Sequence, residues 1–347
     1  MTTIRRARDL AGEWITDEVH DIAGFHGAFL AGSAIWLPPE DTVVPASDVD
    51  VTIVLDTDRP PDKIGKFRYR DIMLDVSYMA AATLRSVDAV LGDYHLAGTL
   101  ARPGILADPT GTLTTLQRDV AANFAREHWV RRRCQHARDK VLAGLAGISS
   151  TRPLHDNVLA WLFPTGVTTH ILLVAGLRSP TIRTRYLAVR QLLHDYDCSK
   201  AYEPLLGLLG CREMTGPRAA HHLAAVTGMF DAARALGTTS FPFSSDISEA
   251  ARPIAIEGSR DLIGRGDHRE SVFWLVATAS RCQAILDRDA PDERHRFDEP
   301  YRQLLGDLGV ASFRDLQLRA DVVREALPGI MDVAESIIAA NPAIRHG

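Results

Sequence analysis

The spacing of apolar residues changes near residue 112, and this change constrains the fold more than any other feature of the sequence. Before residue 112, short segments rich in β-branched residues alternate with turns that contain proline or glycine, a pattern typical of strands. After it, apolar residues recur at helical spacing and strand patterns almost disappear. The sequence therefore predicts an α+β protein, in which an N-terminal mixed sheet with flanking helices precedes a larger all-helical C-terminal region. We place the domain limits at 1–112 and 113–347, with a further break in the helical region near 237–246.

The same patterns locate the individual elements. In the first region the sequence predicts a helix over 5–22, a Pro-containing loop over 34–46, strands over 49–55 and 66–78, a short helix over 87–91 and a short strand within 104–111. In the second region it predicts helices over 113–146, 154–163, 167–176, 181–196, 201–209, 217–235, 270–287, 300–308 and 319–340. No fixed repeat period joins these helices into a solenoid.

Length and composition limit the classes of function. The chain has 347 residues, enough for two domains that each bury a core. Its net charge of −5 argues against nucleic acid as a partner, because nucleic-acid-binding domains are usually strongly basic. The N-terminus lacks the apolar segment of a signal peptide and no run of eighteen or more apolar residues is evident, so we expect a cytoplasmic protein that does not span a membrane. Four cysteines without zinc-site spacing are expected to be reduced thiols: Cys134, Cys198, Cys211 and Cys282.

Two aspartates lie at the start of the predicted 49–55 strand. Side chains two residues apart leave a strand on the same face, so Asp48 and Asp50 project together while Val49 and Val51 point into a core. Two carboxylates in this arrangement repel each other unless a positive charge lies between them. Magnesium suits such a position because it prefers hard oxygen ligands and leaves room for substrate phosphates. The pair by itself is weak evidence, since a solvated strand end often has the same sequence.

A third aspartate lies on the predicted 66–78 strand. Asp75 is flanked by Leu74 and Val76, which point to the opposite face, so a lone carboxylate there would be costly unless it is paired or binds a metal ion. If this strand lies beside the 49–55 strand, three carboxylates converge. Such a cluster can hold two metal ions about 4 Å apart, which bridge the attacking and leaving oxygens of an in-line displacement.

A Gly-Ser pair follows the first apolar run of the chain. Gly32 lets a phosphate approach the backbone, and exposed N–H groups together with the Ser33 hydroxyl can donate to phosphate oxygens. Gly-Ser pairs are common in turns, so the pair is weak evidence alone. The order of the motifs, with a Gly-Ser pair before two acids and a third acid on a later strand, is much more specific.

These residues together resemble a known family. The segments that carry the resemblance are Ala31-Gly32-Ser33, Ser47-Asp48-Val49-Asp50-Val51 and Leu74-Asp75-Val76. They are similar to the nucleotidyltransferase superfamily that includes DNA polymerase β, and nearest to the antibiotic (aminoglycoside) nucleotidyltransferases. The resemblance covers roughly residues 5–115. The chain departs from the family in the longer gap between the Gly-Ser pair and the first acid, and in residues 34–37, where basic or glycine residues often occur in the family.

The resemblance implies a catalytic role for the N-terminal domain, 1–112. Three residues would bind the nucleotide: Gly32, Ser33 and Ser47. Three acids would be catalytic and would hold two Mg²⁺ ions, and the last of them helps to deprotonate the acceptor hydroxyl in some members: Asp48, Asp50 and Asp75. The implied reaction moves a nucleoside monophosphate, most often AMP from ATP, to a hydroxyl of a small acceptor such as an aminoglycoside-like antibiotic, and releases pyrophosphate.

Two alternatives remain open at this stage. The acceptor could be a protein or a tRNA end, for which the helical region would serve as a docking surface. The chain could also be a non-catalytic regulatory or antitoxin-like module that keeps the fold, although all three acids are present and decayed members usually lose at least one. The sequence does not define the oligomeric state.

Several further side chains have both a structural and a functional interpretation. A basic stripe on the long helix after the sheet either binds the triphosphate or is a solvated helix face; it comprises Arg131, Arg132, Arg133, Arg138 and Lys140. Glu127 on the same helix is a candidate general base. Trp36 either stacks on a nucleobase or holds the Pro-containing loop against the domain.

Overall fold

The computed structural model describes residues 2–44 and 46–346, so Pro45 of the predicted loop lies outside the described residues. In the described chain, 13 α-helices accompany one five-stranded mixed sheet, and the fold is α+β as predicted. The first region contains α1 (Ile4–Glu18), β1 (Phe25–Leu30), β2 (Val49–Leu55), β3 (Gly65–Tyr69), β4 (Ile72–Ala80), α2 (Val87–Gly92), α3 (Leu96–Leu100), β5 (Ile105–Ala107) and α4 (Thr112–Asn123).

The helices continue to the C-terminus. They are α5 (Glu127–Leu145), α6 (Leu154–Ala175), α7 (Arg185–Asp195), α8 (Tyr202–Leu209), α9 (Gly216–Leu236), α10 (Gly258–Gly264), α11 (His268–Asp289), α12 (Pro291–Asp307) and α13 (Phe313–Ala340). All but α10 overlap a predicted helix. The last two begin earlier than predicted, and α12 starts at a proline, whose missing N–H is harmless in a first helical turn.

The sheet has the strand order β3-β4-β2-β1-β5. Its β2–β4 pair is parallel and the other three pairs are antiparallel. The face that packs against α1 contributes the buried side chains Val49, Val51, Ile53, Leu74 and Val76. The face that packs against α2, α3 and α4 contributes Phe29 and Val54. The predicted 49–55 strand is confirmed, and it has buried apolar residues on both faces of the sheet.

The prediction of a single strand over 66–78 is wrong. This segment is an antiparallel hairpin in which β3 and β4 are joined by Arg70 and Asp71, and Tyr69 pairs with Ile72. Arg70 adopts the left-handed conformation, with φ of 49°. Alternation of apolar residues continues across so short a turn, and Arg-Asp is not the Asn-Gly or Asp-Gly sequence that marks most two-residue hairpins.

The single helix predicted over 113–146 is also wrong. The structure has α4 and α5 instead, separated by residues 124–126. The C-terminal segment lies at this break: the Arg345 N–H donates to the Ala125 carbonyl at 2.8 Å, and the Glu127 N–H donates to the Arg345 carbonyl at 3.1 Å. The interruption coincides with hydrogen bonds to a residue more than 200 positions away, and helical periodicity gives no sign of such contacts.

The two helices predicted over 154–163 and 167–176 form one continuous helix, α6, with Pro164 inside it. Pro164 packs against Gly144 of α5, where a Cβ atom would overlap the proline ring. Proline normally breaks a helix because it removes a hydrogen bond and crowds the preceding turn. In α6 the helix continues past Pro164, and the proline ring packs closely on Gly144.

Helix α6 bears on the expectation that the chain does not span a membrane. By length and composition alone it could cross a membrane, and it is the one such helix among residues 2–44 and 46–346. However, 78% of its most apolar 18-residue window is buried inside the protein. It therefore has the burial of a core helix.

The chain divides into two compact units. One comprises Met1–His136, Val174–Ile182 and Asn341–Gly347, and contains the sheet; the other comprises Ala137–Leu173 and Arg183–Ala340, and is helical. The predicted domain limits at residue 112 and near 237–246 stay predictions, because compactness alone does not define an independently folding domain.

Arg133 should stabilise the first unit strongly. Its guanidinium is buried, donates to the carbonyl oxygens of Leu91 at 3.3 Å and Phe124 at 2.7 Å, and lies over the Phe124 ring. We expect Arg133→Met to lower the free energy of unfolding by about 2–4 kcal/mol, because two buried carbonyls lose their donor. The matched variant Arg131→Met, on the exposed face of the same helix, should change it by less than about 1 kcal/mol. Urea denaturation checks both, and equal losses would contradict the assignment.

Candidate metal centre

The three predicted acids meet at one end of the sheet. Asp50 on β2 lies directly opposite Asp75 on β4 in the parallel register, and Asp48 lies two residues before Asp50. One carboxylate oxygen from each of the three residues lies within 4.8 Å of the others. The predicted convergence of the carboxylates is therefore confirmed by the geometry. It follows from the pairing of β2 with β4, although β3 lies between these two strands in the sequence.

Two lysines that the sequence analysis missed also lie at this cluster. Lys66 on β3 is directly opposite Asp75, and its Nζ lies 3.1 Å from Oδ2 of Asp48 and hydrogen-bonds Oδ2 of Asp75. The Nζ of Lys63 lies 3.9 Å from Oδ1 of Asp75. The signal that could have revealed Lys66 is the hairpin turn at Arg70, because counting outward from that turn pairs residue 66 with residue 75.

The electrostatics of the cluster are dominated by Asp50. Burial, followed by the neighbouring charges of Asp48 and Asp75, raises the pKa of the Asp50 carboxyl to about 8, although Lys66 and Lys63 act in the opposite direction. Three carboxylates against two ammonium groups leave one negative charge without compensation if all are ionised. At neutral pH the protein without metal therefore keeps a proton on Asp50.

The donor set fits a hard divalent cation. Carboxylate oxygens are the ligands that magnesium prefers, and three of them converge here from the paired strands β2 and β4 and the residue just before β2. The ammonium of Lys66 already lies against two of the three acids, so a positive charge is accommodated at this point. A cation would also favour the ionised form of Asp50, which burial otherwise opposes.

Gly32 lies directly against the Asp50 carboxylate. It follows β1, begins a short 3₁₀ helix (Gly32–Ile35) and has φ of +61°, which favours glycine. The N–H of Ala31 donates to the Asp50 carbonyl at 2.9 Å, which fixes the two segments together. A Cβ atom at position 32 would overlap Oδ2 of Asp50. The glycine is thus required by both its backbone conformation and its contact with the cluster.

The two predicted serines lie at the same end of the sheet and differ in their contacts. Ser33 is in the 3₁₀ helix, where its carbonyl accepts from the N–H groups of Trp36 and Leu37. The first N–H groups of such a turn have no partner within it, so those of Gly32 and Ser33 are suited to bind an anion. The Ser47 hydroxyl donates to the Asp48 carbonyl at 3.4 Å, a long contact. Triphosphate binding by these residues stays a prediction.

The loop after the Gly-Ser pair is held against the first unit. Arg8 of α1 donates to the carbonyls of Ala34 at 2.7 Å and Leu37 at 3.0 Å. The Arg102 guanidinium lies 3.7 Å from the centre of the Trp36 ring. One face of the indole is therefore covered by a cation, which favours the interpretation that Trp36 holds the loop in place.

On the helix after the sheet, the contacts of Glu127 argue against a general base and those of Arg133 argue against a place in the basic stripe. Glu127 pairs with Arg131 at 2.8 Å and with His346 at 3.3 Å, and the hydrogen bond from His346 together with the Arg131 charge lowers the pKa of its carboxyl. A general base needs a pKa nearer the working pH, so these contacts weaken the case for Glu127. Arg133 is buried and bonded to backbone, and burial lowers its pKa to about 10. It is thus not part of an exposed basic stripe.

Comparison with known proteins gives the chain no relatives by sequence. No protein-family model matches it, and no curated protein matches it significantly. The resemblance to nucleotidyltransferases therefore depends on the motif residues and their order along the chain, and the geometry of the cluster is the structural observation that bears on it.

Gly32→Ala tests the close approach of the backbone to the metal cluster. A Cβ atom here would displace the Asp50 carboxylate as well as strain the backbone, so we expect unfolding free energy to fall by roughly 2–4 kcal/mol and Mn²⁺ affinity to fall at least tenfold. Gly111→Ala is the matched control, because Gly111 also has a positive φ, of 73°, but its Cβ would meet nothing within 4 Å. Gly111→Ala should lower the free energy of unfolding by about 1 kcal/mol and leave Mn²⁺ binding unchanged. Loss of Mn²⁺ binding in both variants would count against the contact.

The pKa of Asp50 predicts how stability depends on pH in the metal-free protein. The folded pKa of about 8 is above the ordinary value of 3.8, so the folded state holds a proton that the unfolded chain has released. The stability contributed by this group is present in full below pH 4 and is lost as the pH rises toward 8, by at most about 1.4 kcal/mol per pH unit.

Thermal denaturation in EDTA from pH 5 to 8.5 measures this slope. Asp50→Asn cannot ionise and should lose less stability over that range than the wild type, and adding Mg²⁺ should stabilise the wild type most at the high end. Parallel curves for wild type and variant would show that Asp50 does not carry the predicted proton.

Proposed function

We propose that this protein is a magnesium-dependent nucleotidyltransferase, which transfers a nucleoside monophosphate from a nucleoside triphosphate to a hydroxyl group of a small acceptor. The observation that carries the proposal is the cluster of Asp48, Asp50 and Asp75, whose carboxylate oxygens lie within 4.8 Å of one another beside Gly32. The order of these residues and their placement on paired strands support a nucleotidyltransferase-type sheet.

The chemistry follows from what each group can do. Magnesium, when bound, would neutralise charge on the phosphates and on the attacking and leaving oxygens. Asp48, Asp50 and Asp75 hold the cation, and the N–H groups of Gly32 and Ser33 donate to phosphate oxygens. The acceptor oxygen forms a bond to the α-phosphorus, the bond between that phosphorus and the bridging oxygen to the β-phosphorus breaks, and pyrophosphate leaves. Asp75 accepts the proton of the acceptor hydroxyl.

The proposed substrates are a nucleoside triphosphate and a hydroxylated small molecule. AMP from ATP is the donor group that the family resemblance suggests. The acceptor is a hydroxylated small molecule, and an aminoglycoside-like antibiotic is the example suggested by analogy with the family. The net charge of −5 accords with a cationic acceptor. We place the reaction in the cytoplasm, where triphosphates and magnesium are abundant, and the four cysteines, none of which forms a disulfide in the described part of the chain, agree with a reducing compartment.

One observation favours the second candidate, a non-catalytic module that keeps the fold. Lys66 and Lys63 bring two positive charges to the three carboxylates, so the cluster is partly neutralised by the protein itself. A regulatory protein would need no more than this. The pKa of Asp50, which burial and the charges of Asp48 and Asp75 raise despite the two lysines, argues for the enzyme, because a bound cation would favour the ionised carboxylate.

The decisive experiment measures pyrophosphate release. The protein is incubated with Mg²⁺ and each of four labelled nucleoside triphosphates, in the presence of aminoglycosides, lincosamides, tRNA or purified cell protein. We expect label transfer from ATP to one class of small acceptor. Transfer to tRNA or protein would keep the reaction and change the acceptor. No transfer, with no Mn²⁺ binding at the cluster, would leave the non-catalytic module as the explanation.

The aspartates provide the mutational test. Asp48→Asn and Asp50→Asn should each lower kcat at least about a hundredfold, because each removes a charged ligand worth several kcal/mol of transition-state stabilisation. Both variants should keep their fold, since neither side chain belongs to an apolar core. Asp56→Asn is the matched control: Asp56 is an exposed aspartate just beyond the other end of β2 and should leave kcat unchanged. Full activity in either cluster variant would refute the assignment.

A further inference from the structure

The Lys66 ammonium is a nearly buried cation inside the proposed metal site. Its side chain is 9% exposed, and it contacts Asp48 at 3.1 Å and hydrogen-bonds Asp75. We propose that Lys66 is a displaceable counter-cation: it balances Asp48 and Asp75 in the metal-free protein and moves onto the phosphates of the nucleotide when a divalent cation takes those carboxylates. This inference rests on the proposed function and assigns a further residue to it.

The lysine and a divalent ion compete for the same oxygens. The acids that Lys66 contacts are two of the three that form the candidate metal site. Two cations sharing those oxygens would be within a few ångströms of each other, where a monovalent and a divalent charge repel strongly even at an effective dielectric constant of about 20. Occupation by the ion and the present position of the ammonium are therefore mutually exclusive.

The position of Lys66 in the sheet allows it to move. It lies on β3, which is an edge strand and pairs with β4 alone, and a lysine has a flexible four-carbon stem. The side chain can rotate away from the carboxylates without any change to the buried strands β2 and β4.

The nucleotide provides a destination for the displaced charge. Residues 34–37 after the Gly-Ser pair are Ala-Ile-Trp-Leu, so this turn contributes no basic side chain to a triphosphate. Lysine binds phosphate readily as a compact positive charge. Lys66 supplies the missing charge from a different strand, and it does so only after a metal ion has released it. Metal and nucleotide binding are coupled as a result.

The mutational test compares the metal alone with the metal and nucleotide together. Titration calorimetry at pH 8.5 measures the affinity of Lys66→Met for Mn²⁺, and then for a non-hydrolysable ATP analogue in saturating Mg²⁺. We expect Mn²⁺ to bind at least tenfold more tightly than to wild type, because the competing charge is gone, and the analogue to bind at least tenfold more weakly. A static salt bridge would not produce opposite changes: weaker Mn²⁺ binding, or no change in either affinity, would overturn the proposal.

Two further variants serve as controls. Lys66→Arg keeps the charge and can still bridge the two acids, so it should not bind Mn²⁺ more tightly than wild type. In Lys63→Met, a more exposed lysine whose Nζ is 3.9 Å from Asp75 is removed, and both affinities should change less than they do in Lys66→Met. Equal effects of the Lys63 and Lys66 substitutions would assign the result to net charge and overturn the specific role of Lys66.

A measurement on the wild-type protein avoids the risk that Lys66→Met fails to fold. Amine-selective acetylation read by mass spectrometry reports the exposure of each lysine. Modification of Lys66 should be slow in EDTA, at least fivefold faster with Mn²⁺ and slow again when the ATP analogue is added. Constant reactivity in a protein that transfers nucleotides would overturn this inference alone. If the reactivity of Lys66 stays constant and the protein binds no Mn²⁺, the proposed function is refuted as well.

Discussion

Repulsion among three carboxylates held at one end of the sheet is the constraint on which the functional part of this structure depends. Backbone hydrogen bonds place Asp50 opposite Asp75, and the apolar side chains of β2 and β4 pack on both faces of the sheet. The acids cannot separate without breaking the core. The fold therefore keeps negative charges close together, and the charge must be compensated by a proton, a lysine or a metal ion.

The groups that surround the three carboxylates come from different parts of the sheet. Lys66 reaches the acids from the edge strand β3, and Gly32 brings backbone against Asp50 from the end of β1. Asp50 itself has a raised pKa and holds a proton even with the two lysines nearby. Four segments that are distant in the sequence thus define one small volume that contains both an ammonium group and this proton. A divalent cation bound there would take the place of these positive charges.

The helical parts of the chain show a related dependence on distant contacts. The break between α4 and α5 coincides with backbone hydrogen bonds to Arg345, and the uninterrupted course of α6 through Pro164 accompanies close packing on Gly144. In each case a residue remote in sequence supplies a hydrogen bond or a surface that local propensity does not take into account. The buried guanidinium of Arg133 belongs to the same class, since its partners are carbonyls at the ends of other helices.

The sequence by itself determined the α+β class, the 49–55 strand and the common face of Asp48 and Asp50, because apolar periodicity is visible in short segments. The convergence of these two acids with Asp75 was conditional on the pairing of two strands, which only the tertiary structure decided. Only the tertiary structure decided that 66–78 is a hairpin, that Lys66 lies at the cluster and where the long helices begin and end. These features depend on which strand or chain end lies beside a given segment. Hydrogen bonds and charge pairs between remote residues produce no periodic pattern in the sequence around either residue, so they are seen only in the folded structure.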